Sequence, residues 1–190
     1  RLGGLVGLWF VVTFGLTALE ATFPLFLQAR LGYVEWQIGA AFASVGVVMV
    51  IVQGGLIRRL VAAYGERRLV IAGTALLAAG LAVQAMVGSL AALAAAIVLV
   101  SVGNGLTNPS LSSLISREAG PVRQGVVLGV VQSVGALARI VGPPVGGALY
   151  EVGIAWPYWF AAAVIGAAAV AGALVIGGDA APAVDEARAA

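Results

Sequence analysis

The chain has 190 residues, of which 62% are hydrophobic and 9% charged, and its formal net charge is +2. Soluble domains carry about 25% charged residues, so this composition indicates an integral membrane protein and argues against a nucleic-acid partner. Cysteine and histidine are both absent, which excludes a disulfide, a thiol nucleophile, a cysteine-based metal site and a histidine proton carrier. We therefore expect no cofactor and no metal ion.

Six apolar stretches are each long enough to form a membrane-spanning helix, which needs about 20 residues. In chain order they are residues 2–28, 37–57, 69–87, 90–115, 124–150 and 155–176. The predicted fold class is therefore all-α, with one six-helix transmembrane domain over residues 1–177. Residues 178–190 are rich in alanine, proline and acidic side chains, which predicts a disordered cytoplasmic tail.

The first predicted helix contains Glu20, ten residues before Arg30 at the expected outer edge of the membrane. Ten residues of helix span about 15 Å, which places Glu20 near the midplane of a bilayer core about 30 Å thick. A carboxylate at that depth suits the binding of protons or of a cationic substrate. The alternative is a structural role, in a static ion pair or in bonds to backbone and water.

The loop between the second and third helices is rich in glycine and arginine, with the sequence GGLIRRLVAAYGERRLV. The simplest interpretation is a cytoplasmic anchor that follows the positive-inside rule. A sharper interpretation is a latch that makes and breaks charge-assisted hydrogen bonds, with Glu66 paired to Arg59, Arg67 or a helix end. Gly55 then allows a close helix contact. The candidate gating residues are Gly55, Arg59, Gly65, Glu66, Arg67 and Arg68.

The fourth and fifth helices carry Asn104 and Gln132, which either hold helices together or line a substrate cavity. Arg139 lies twelve residues before Glu151, which corresponds to about 18 Å of helix. Its estimated depth therefore equals that of Glu20. A permanent charge at bilayer depth is costly and needs a partner, so we expect an ion pair with Glu20 if the first and fifth helices are neighbours.

A helix bend is predicted at Gly142, Pro143 and Pro144, because proline interrupts the helical hydrogen-bond ladder. The main expectation there is tight packing, with a smaller contribution to gating. The aromatic residues near the outer helix ends are typical of an interfacial belt. They are Trp36, Trp156, Tyr158 and Trp159.

The arginines are distributed unevenly over the predicted loops, and Arg30 alone falls on one side. On the other side are Arg1, Arg58, Arg59, Arg67, Arg68, Arg117, Arg123 and Arg188. Because cytoplasmic loops carry an excess of basic residues, both termini are expected in the cytoplasm.

In their order and spacing, these segments resemble the C-terminal six-helix half of the major facilitator superfamily, in particular its drug:proton antiporter branch. The glycine- and arginine-rich loop matches the family's loop between the eighth and ninth helices, although it lacks the aspartate of the fuller motif. The segment LEATFPLFLQARLGYVEWQIG resembles the seventh helix, and residues 103–151 resemble the tenth and eleventh. The resemblance implies half of a twelve-helix fold, three-plus-three inverted repeats and a substrate site near the midplane between halves.

The resemblance also implies a bacterial inner-membrane secondary transporter that exports hydrophobic, drug-like compounds by proton-coupled alternating access. Its expected partners are a small-molecule substrate, protons, the lipid bilayer and an N-terminal six-helix half that this chain lacks. An intramembrane protease is disfavoured because histidine is absent and both aspartates lie in the tail. A water channel is disfavoured because a single Asn-Pro-Ser motif is present, where two are needed. A non-catalytic membrane scaffold or permease subunit remains the alternative.

Overall fold

The structure is a computed structural model that describes residues 2–177, with side chains through residue 174. The predicted tail, residues 178–190, and Arg1 lie outside the described residues. Within that range the chain is helical and contains no strand, as the all-α prediction requires. The helices are α1 (Leu2–Glu20), α2 (Phe23–Leu31), α3 (Glu35–Ile51), α4 (Ile57–Tyr64), α5 (Glu66–Ala85), α6 (Leu90–Val152) and α7 (Trp156–Gly177), with a π-helical segment, Val52–Leu56, between α3 and α4.

The first helix ends earlier than predicted. The stretch expected as one helix, residues 2–28, divides into α1 and α2 at Ala21 and Thr22. Pro24 lies in the first turn of α2, where its missing N–H is tolerated, and the Thr22 hydroxyl donates a hydrogen bond of 3.2 Å to the Leu19 carbonyl. Glu20 is therefore the last residue of α1, at a break in the helix.

Helix α6 combines the predicted fourth and fifth helices. Its 63 residues would extend roughly 95 Å if straight, about three times the thickness of a bilayer core. The helix is interrupted at Gly120, whose φ of 66° and ψ of 167° lie outside the helical region, and Pro121 follows. Glycine adopts positive φ without a steric penalty, so one residue replaces the predicted loop over residues 116–123. We call residues 90–119 the first arm and residues 121–152 the second arm.

Within residues 2–177, five helical segments are long and apolar enough to cross a membrane, when α6 is counted as one. Helix α5 packs antiparallel to the first arm, where Gly73 faces Gly103 and Thr107. Helix α7 packs against both α5 and α1. Small residues at these crossings let the backbones approach closely, which is the usual source of adhesion between membrane helices.

Helix α1 runs parallel to the second arm. Along the contact, Gly135 lies against Trp9, Gly142 against Thr17 and Gly146 against Ala18. A Cβ atom added at Gly146 would lie 2.0 Å from the Ala18 carbonyl oxygen. Thr17 also donates its hydroxyl across the contact to the Ala138 carbonyl at 3.2 Å. We call this contact the α1 seam.

Two helical surfaces of the described chain remain largely open. In α3 the buried residue is Ala41. The second arm buries the residues of the α1 seam and Val131, whereas most of its other side chains are exposed. These surfaces are therefore available to lipid or to further polypeptide.

Candidate functional site

A cavity of about 160 Å³ lies beside the end of α1, between α3, α5, the first arm of α6 and the start of α7. We call it the Glu20 pocket. It is lined by Leu16, Leu19, Glu20, Phe23, Phe42, Val45, Met49, Leu81, Gln84, Ile97, Val100, Ser101, Asn104 and Tyr158.

Several residues that line this pocket carry unsatisfied polar groups. Within the described residues, five buried side-chain atoms lack a hydrogen-bond partner, and three of them belong to pocket residues: Gln84 Nε2, Ser101 Oγ and the Tyr158 hydroxyl. Leaving such a group unpaired costs about 1–3 kcal/mol. Buried polar atoms in proteins are almost always paired with protein, water or ligand, so these three residues concentrate unused hydrogen-bonding capacity around one cavity.

The remaining wall of the pocket is apolar and partly aromatic. Phe23 and Phe42 meet edge to face, with ring centroids 5.2 Å apart, and Met49 adds a flexible apolar side chain. An apolar cavity with a few placed polar groups is the usual form of a small-molecule site. Its volume is below the roughly 300 Å³ at which drug-sized sites begin. The described chain therefore supplies part of the enclosure that such a molecule needs.

The structure brings together two of the predicted site residues, Glu20 and Asn104, as neighbours in the pocket lining. Glu20 is exposed at the rim, and it is the one charged side chain among the described residues that line the cavity. Asn104 accepts a hydrogen bond of 2.8 Å from Asn108 Nδ2, one turn further along the first arm. Gln132 is instead exposed on the second arm, outside this pocket.

The expected ion pair between Glu20 and Arg139 is not formed. Helices α1 and α6 are neighbours as required, but the seam sets a different register. Gly146 contacts Ala18, while Arg139 lies seven residues before Gly146 and Glu20 two residues after Ala18. The two charged residues are therefore offset by roughly 13 Å along the helices. The equal-depth estimate was wrong because it assumed two straight helices that reach the same outer edge.

The predicted bend residues serve packing. Pro143 and Pro144 lie inside the second arm without departing from helical dihedral angles, and Gly120 is the non-helical residue of α6. Gly142 is buried in the α1 seam, where an added Cβ would lie 2.3 Å from the Thr17 hydroxyl oxygen. The break in α6 is therefore 22 residues earlier than the predicted bend.

The glycine- and arginine-rich loop contains a buried carboxylate. Glu66 is the first residue of α5, after Gly65 with φ of 77°. Its Oε1 accepts a 2.6 Å hydrogen bond from the Ser113 hydroxyl and lies 3.4 Å from Arg117 Nη2. The observed partners are therefore the side chains of Ser113 and Arg117, and neither Arg59 nor Arg67 pairs with Glu66. These two and Arg68 are exposed.

Gly55 makes no close helix contact within the described chain. It lies in the π-helical segment, and a Cβ added there would meet nothing within 4 Å. The extra residue of a π-helical turn displaces this glycine from the crossing, where Gly105 contacts Val52 instead.

Sequence reasoning missed Gln84, Ser101 and Tyr158. Tyr158 was expected in the interfacial aromatic belt, but it is 1% exposed and its ring lies 4.5 Å from that of Phe26. Trp36, Trp156 and Trp159 are exposed as a belt requires. The available signal for Ser101 was its spacing of three residues from Asn104, which puts both side chains on one face of a helix.

Comparison with known proteins identifies the family. The model of the Major Facilitator Superfamily matches residues 5–189. Multidrug resistance protein 2 of Bacillus subtilis is 32% identical over 156 residues, which cover 80% of this chain and 38% of that protein. Major facilitator superfamily domain-containing protein 10 of Homo sapiens is 31% identical over 142 residues, 75% of this chain and 31% of that protein.

A solved structure gives the same result for the fold. The crystal structure of the human organic anion transporter MFSD10 (TETRAN) matches with a TM-score of 0.81 and 27% identity, covering 89% of this chain and 40% of that one. The chain thus spans about two fifths or less of the length of these relatives. The matched family and the solved neighbour are transporters and not enzymes. The chain belongs to the major facilitator superfamily.

Proposed function

We propose that this chain is the C-terminal half of a secondary transporter that exports hydrophobic compounds in exchange for protons, with the Glu20 pocket as part of the binding site. The observation that carries the proposal is a carboxylate at the rim of an apolar cavity, with three lining residues that carry unpaired polar groups. An apolar wall binds the body of a hydrophobic compound, and the polar groups orient it.

The proposed topology has six membrane crossings, with α6 contributing two through its separate arms. The Glu66–Arg117 pair brings the α4–α5 junction and the Gly120 break to the same end of the bundle. This end carries Arg58, Arg59, Arg67, Arg68, Arg117 and Arg123. By the positive-inside rule it faces the cytoplasm, in what we take to be a bacterial inner membrane.

An N-terminal half is proposed to cover the second arm. Arg139 and Gln132 are seven residues apart and therefore share one helical face. Both are exposed in the described chain, and an arginine facing lipid at bilayer depth is strongly disfavoured. A second six-helix half would provide the polar interior that these side chains need, and the two halves would alternate around the pocket. The relatives' greater length agrees with this arrangement.

We propose hydrophobic cations as the preferred substrates. The charge at the pocket is a carboxylate, which attracts a cation and repels an anion. Protonation of Glu20 would remove that attraction, so one site can release substrate when it binds a proton. Similarity to multidrug resistance proteins supports drug-like substrates without specifying their charge, whereas the solved neighbour is an organic anion transporter. Anion transport is therefore the contrasting outcome of the test.

The test uses the protein reconstituted in liposomes, with tetraphenylphosphonium as the cationic probe and a pH-sensitive dye inside. Addition of the probe should drive proton movement, and Glu20→Gln should abolish the coupling. The matched control is Glu35→Gln, which removes an exposed carboxylate at the start of α3.

Unchanged coupling in Glu20→Gln would remove Glu20 from the mechanism. No probe-driven proton movement with the unaltered protein would favour a scaffold role, and coupling to an organic anion instead would overturn the proposed substrate class.

A further inference from the structure

A polar stripe runs along the first arm of α6, from the Glu20 pocket to the arginine-rich end. Its residues are Ser101, Asn104, Asn108, Ser112 and Ser116. Spacings of three, four, four and four residues keep these side chains close to one face of the helix. Fifteen residues of helix extend about 22 Å. Because Ser101 lies eleven residues, or roughly 17 Å, after the helix start at Leu90, the stripe covers the inner half of the membrane.

The stripe is separate from the faces that hold the first arm in the bundle. Gly103 and Thr107 contact α5, and Ser110 is buried. Gly105 contacts Val52. Asn104, Asn108, Ser112 and Ser116 are all half-buried. Packing within the described chain therefore does not require polar side chains at these positions.

The hydrogen bonds along the stripe leave much of its capacity unused. Asn108 donates to Asn104 at 2.8 Å, and Ser116 accepts a bond from Gln124 across the Gly120 break. An amide has two donors and an acceptor with two lone pairs, so most of these remain free. At the pocket end, Ser101 is 1% exposed and its hydroxyl is unpaired. In a bilayer, free polar groups of this kind need water or polypeptide.

We infer that the stripe is a hydrated path by which Glu20 releases its proton to the arginine-rich end of the bundle. This inference rests on the proposed proton exchange at Glu20. Serine and asparagine do not titrate near neutral pH, so the proton travels on water molecules that these side chains hold in line. The Glu20 carboxyl group loses its proton to the nearest of these water molecules, and a hydronium ion leaves at the cytoplasmic end. The other titratable group that lines the pocket among the described residues is Tyr158 of α7; α3, α5 and α6 contribute none.

The first test measures water access and does not depend on transport. This chain has no native cysteine, so single replacements are unambiguous once any cysteine elsewhere in the full-length protein has been replaced by serine. Asn108→Cys and Ser112→Cys lie on the stripe, while Leu106→Cys and Ser110→Cys are off-stripe controls on the same helix. Inside-out vesicles are treated with a charged, membrane-impermeant methanethiosulfonate. Because the solvated thiolate is the reactive species, the stripe positions should react at least about tenfold faster than the controls. Equal rates would overturn the inference.

The second test asks whether the path carries protons. Asn108→Leu should reduce probe-driven proton movement strongly, with binding of tetraphenylphosphonium retained. Asn108→Ser should restore the flux, because it restores a polar side chain, and Ser110→Ala should behave as the unaltered protein. Full proton flux in a well-folded Asn108→Leu protein would contradict the inference.

If the stripe reacts with the reagent while the unaltered protein moves no protons, the proposed function fails and the inferred proton path fails with it. If protons move while the stripe is unreactive, the inference alone fails.

Discussion

Helix α1 has two contrasting environments within its last turn. On the side of the α1 seam, Thr17 and Ala18 contact Gly142 and Gly146 of the second arm so closely that no side chain fits between them. At the end of the same helix, Glu20 lies at the rim of a cavity with unpaired polar groups in its wall. Thr17 and Ala18 are therefore tightly packed against the second arm, whereas Glu20 of the same turn borders a cavity.

This difference separates stability from function. In the seam the Thr17 hydroxyl bonds to carbonyls of its own helix and of Ala138, and one buried atom, Trp9 Nε1 beside Gly135, has no partner. The pocket keeps Gln84, Ser101 and Tyr158 buried and unpaired, at a cost in stability that packing elsewhere must offset. Proteins keep such costs mainly at functional sites. We therefore expect substitutions in the seam to affect folding, and substitutions in the pocket to affect binding.

The largest effect is expected at Gly146. An alanine there places a Cβ atom 2.0 Å from the Ala18 carbonyl oxygen, so the helices must separate. Overpacking usually costs about 1–3 kcal/mol and occasionally more, and a 2.0 Å approach to backbone atoms places this variant above that range. Thermal unfolding in detergent would register the loss as a lower Tm. The adjacent Gly147→Ala is the matched control, because its Cβ would meet nothing within 4 Å. Equal Tm values for the two variants would show that the seam does not hold the fold together.

A smaller loss of folding stability is expected when the partners of Glu66 are removed. The buried carboxylate of Glu66 is paired with the side chains of Ser113 and Arg117. Ser113→Ala removes a hydrogen bond to a charged acceptor and should cost about 1.5–3 kcal/mol. Arg117→Ala should cost less than about 1 kcal/mol, because the arginine side chain is 74% exposed and solvent screens the pair. Chemical denaturation of both variants would rank them. A larger loss for Arg117→Ala would mean that the ion pair, and not the hydrogen bond, fixes this junction.

The parts of the molecule that sequence predicted well depend on local or summed properties. Hydropathy over windows of about 20 residues is enough for membrane helices, and glycine, proline and arginine at set spacings identified the family. The position of Glu20 in a pocket with Asn104 followed only from three-dimensional packing. Tyr158 has the sequence context of an interfacial residue, yet α7 turns it against Phe26. The offset of Glu20 from Arg139 depends on how far α1 is shifted along the second arm of α6. The contacts of Gly142 and Gly146 with α1 determine that shift.

The smallest change in stability is expected for Tyr158→Phe, and this variant sharpens the contrast between seam and pocket most directly. The Tyr158 hydroxyl is buried near the Thr22 side chain but makes no well-aligned hydrogen bond within the described residues, so its removal loses at most a weak intramolecular contact. Stability should change by less than about 1 kcal/mol or increase slightly, because an unsatisfied buried group is eliminated. Affinity for the cationic probe should nevertheless fall, since the hydroxyl is then unavailable to the ligand or its water. Tyr150→Phe, outside the pocket, should change neither quantity. A loss of stability in Tyr158→Phe comparable to that of Gly146→Ala would mean that the hydroxyl is structurally paired, and the pocket residues would then carry two unpaired groups instead of three.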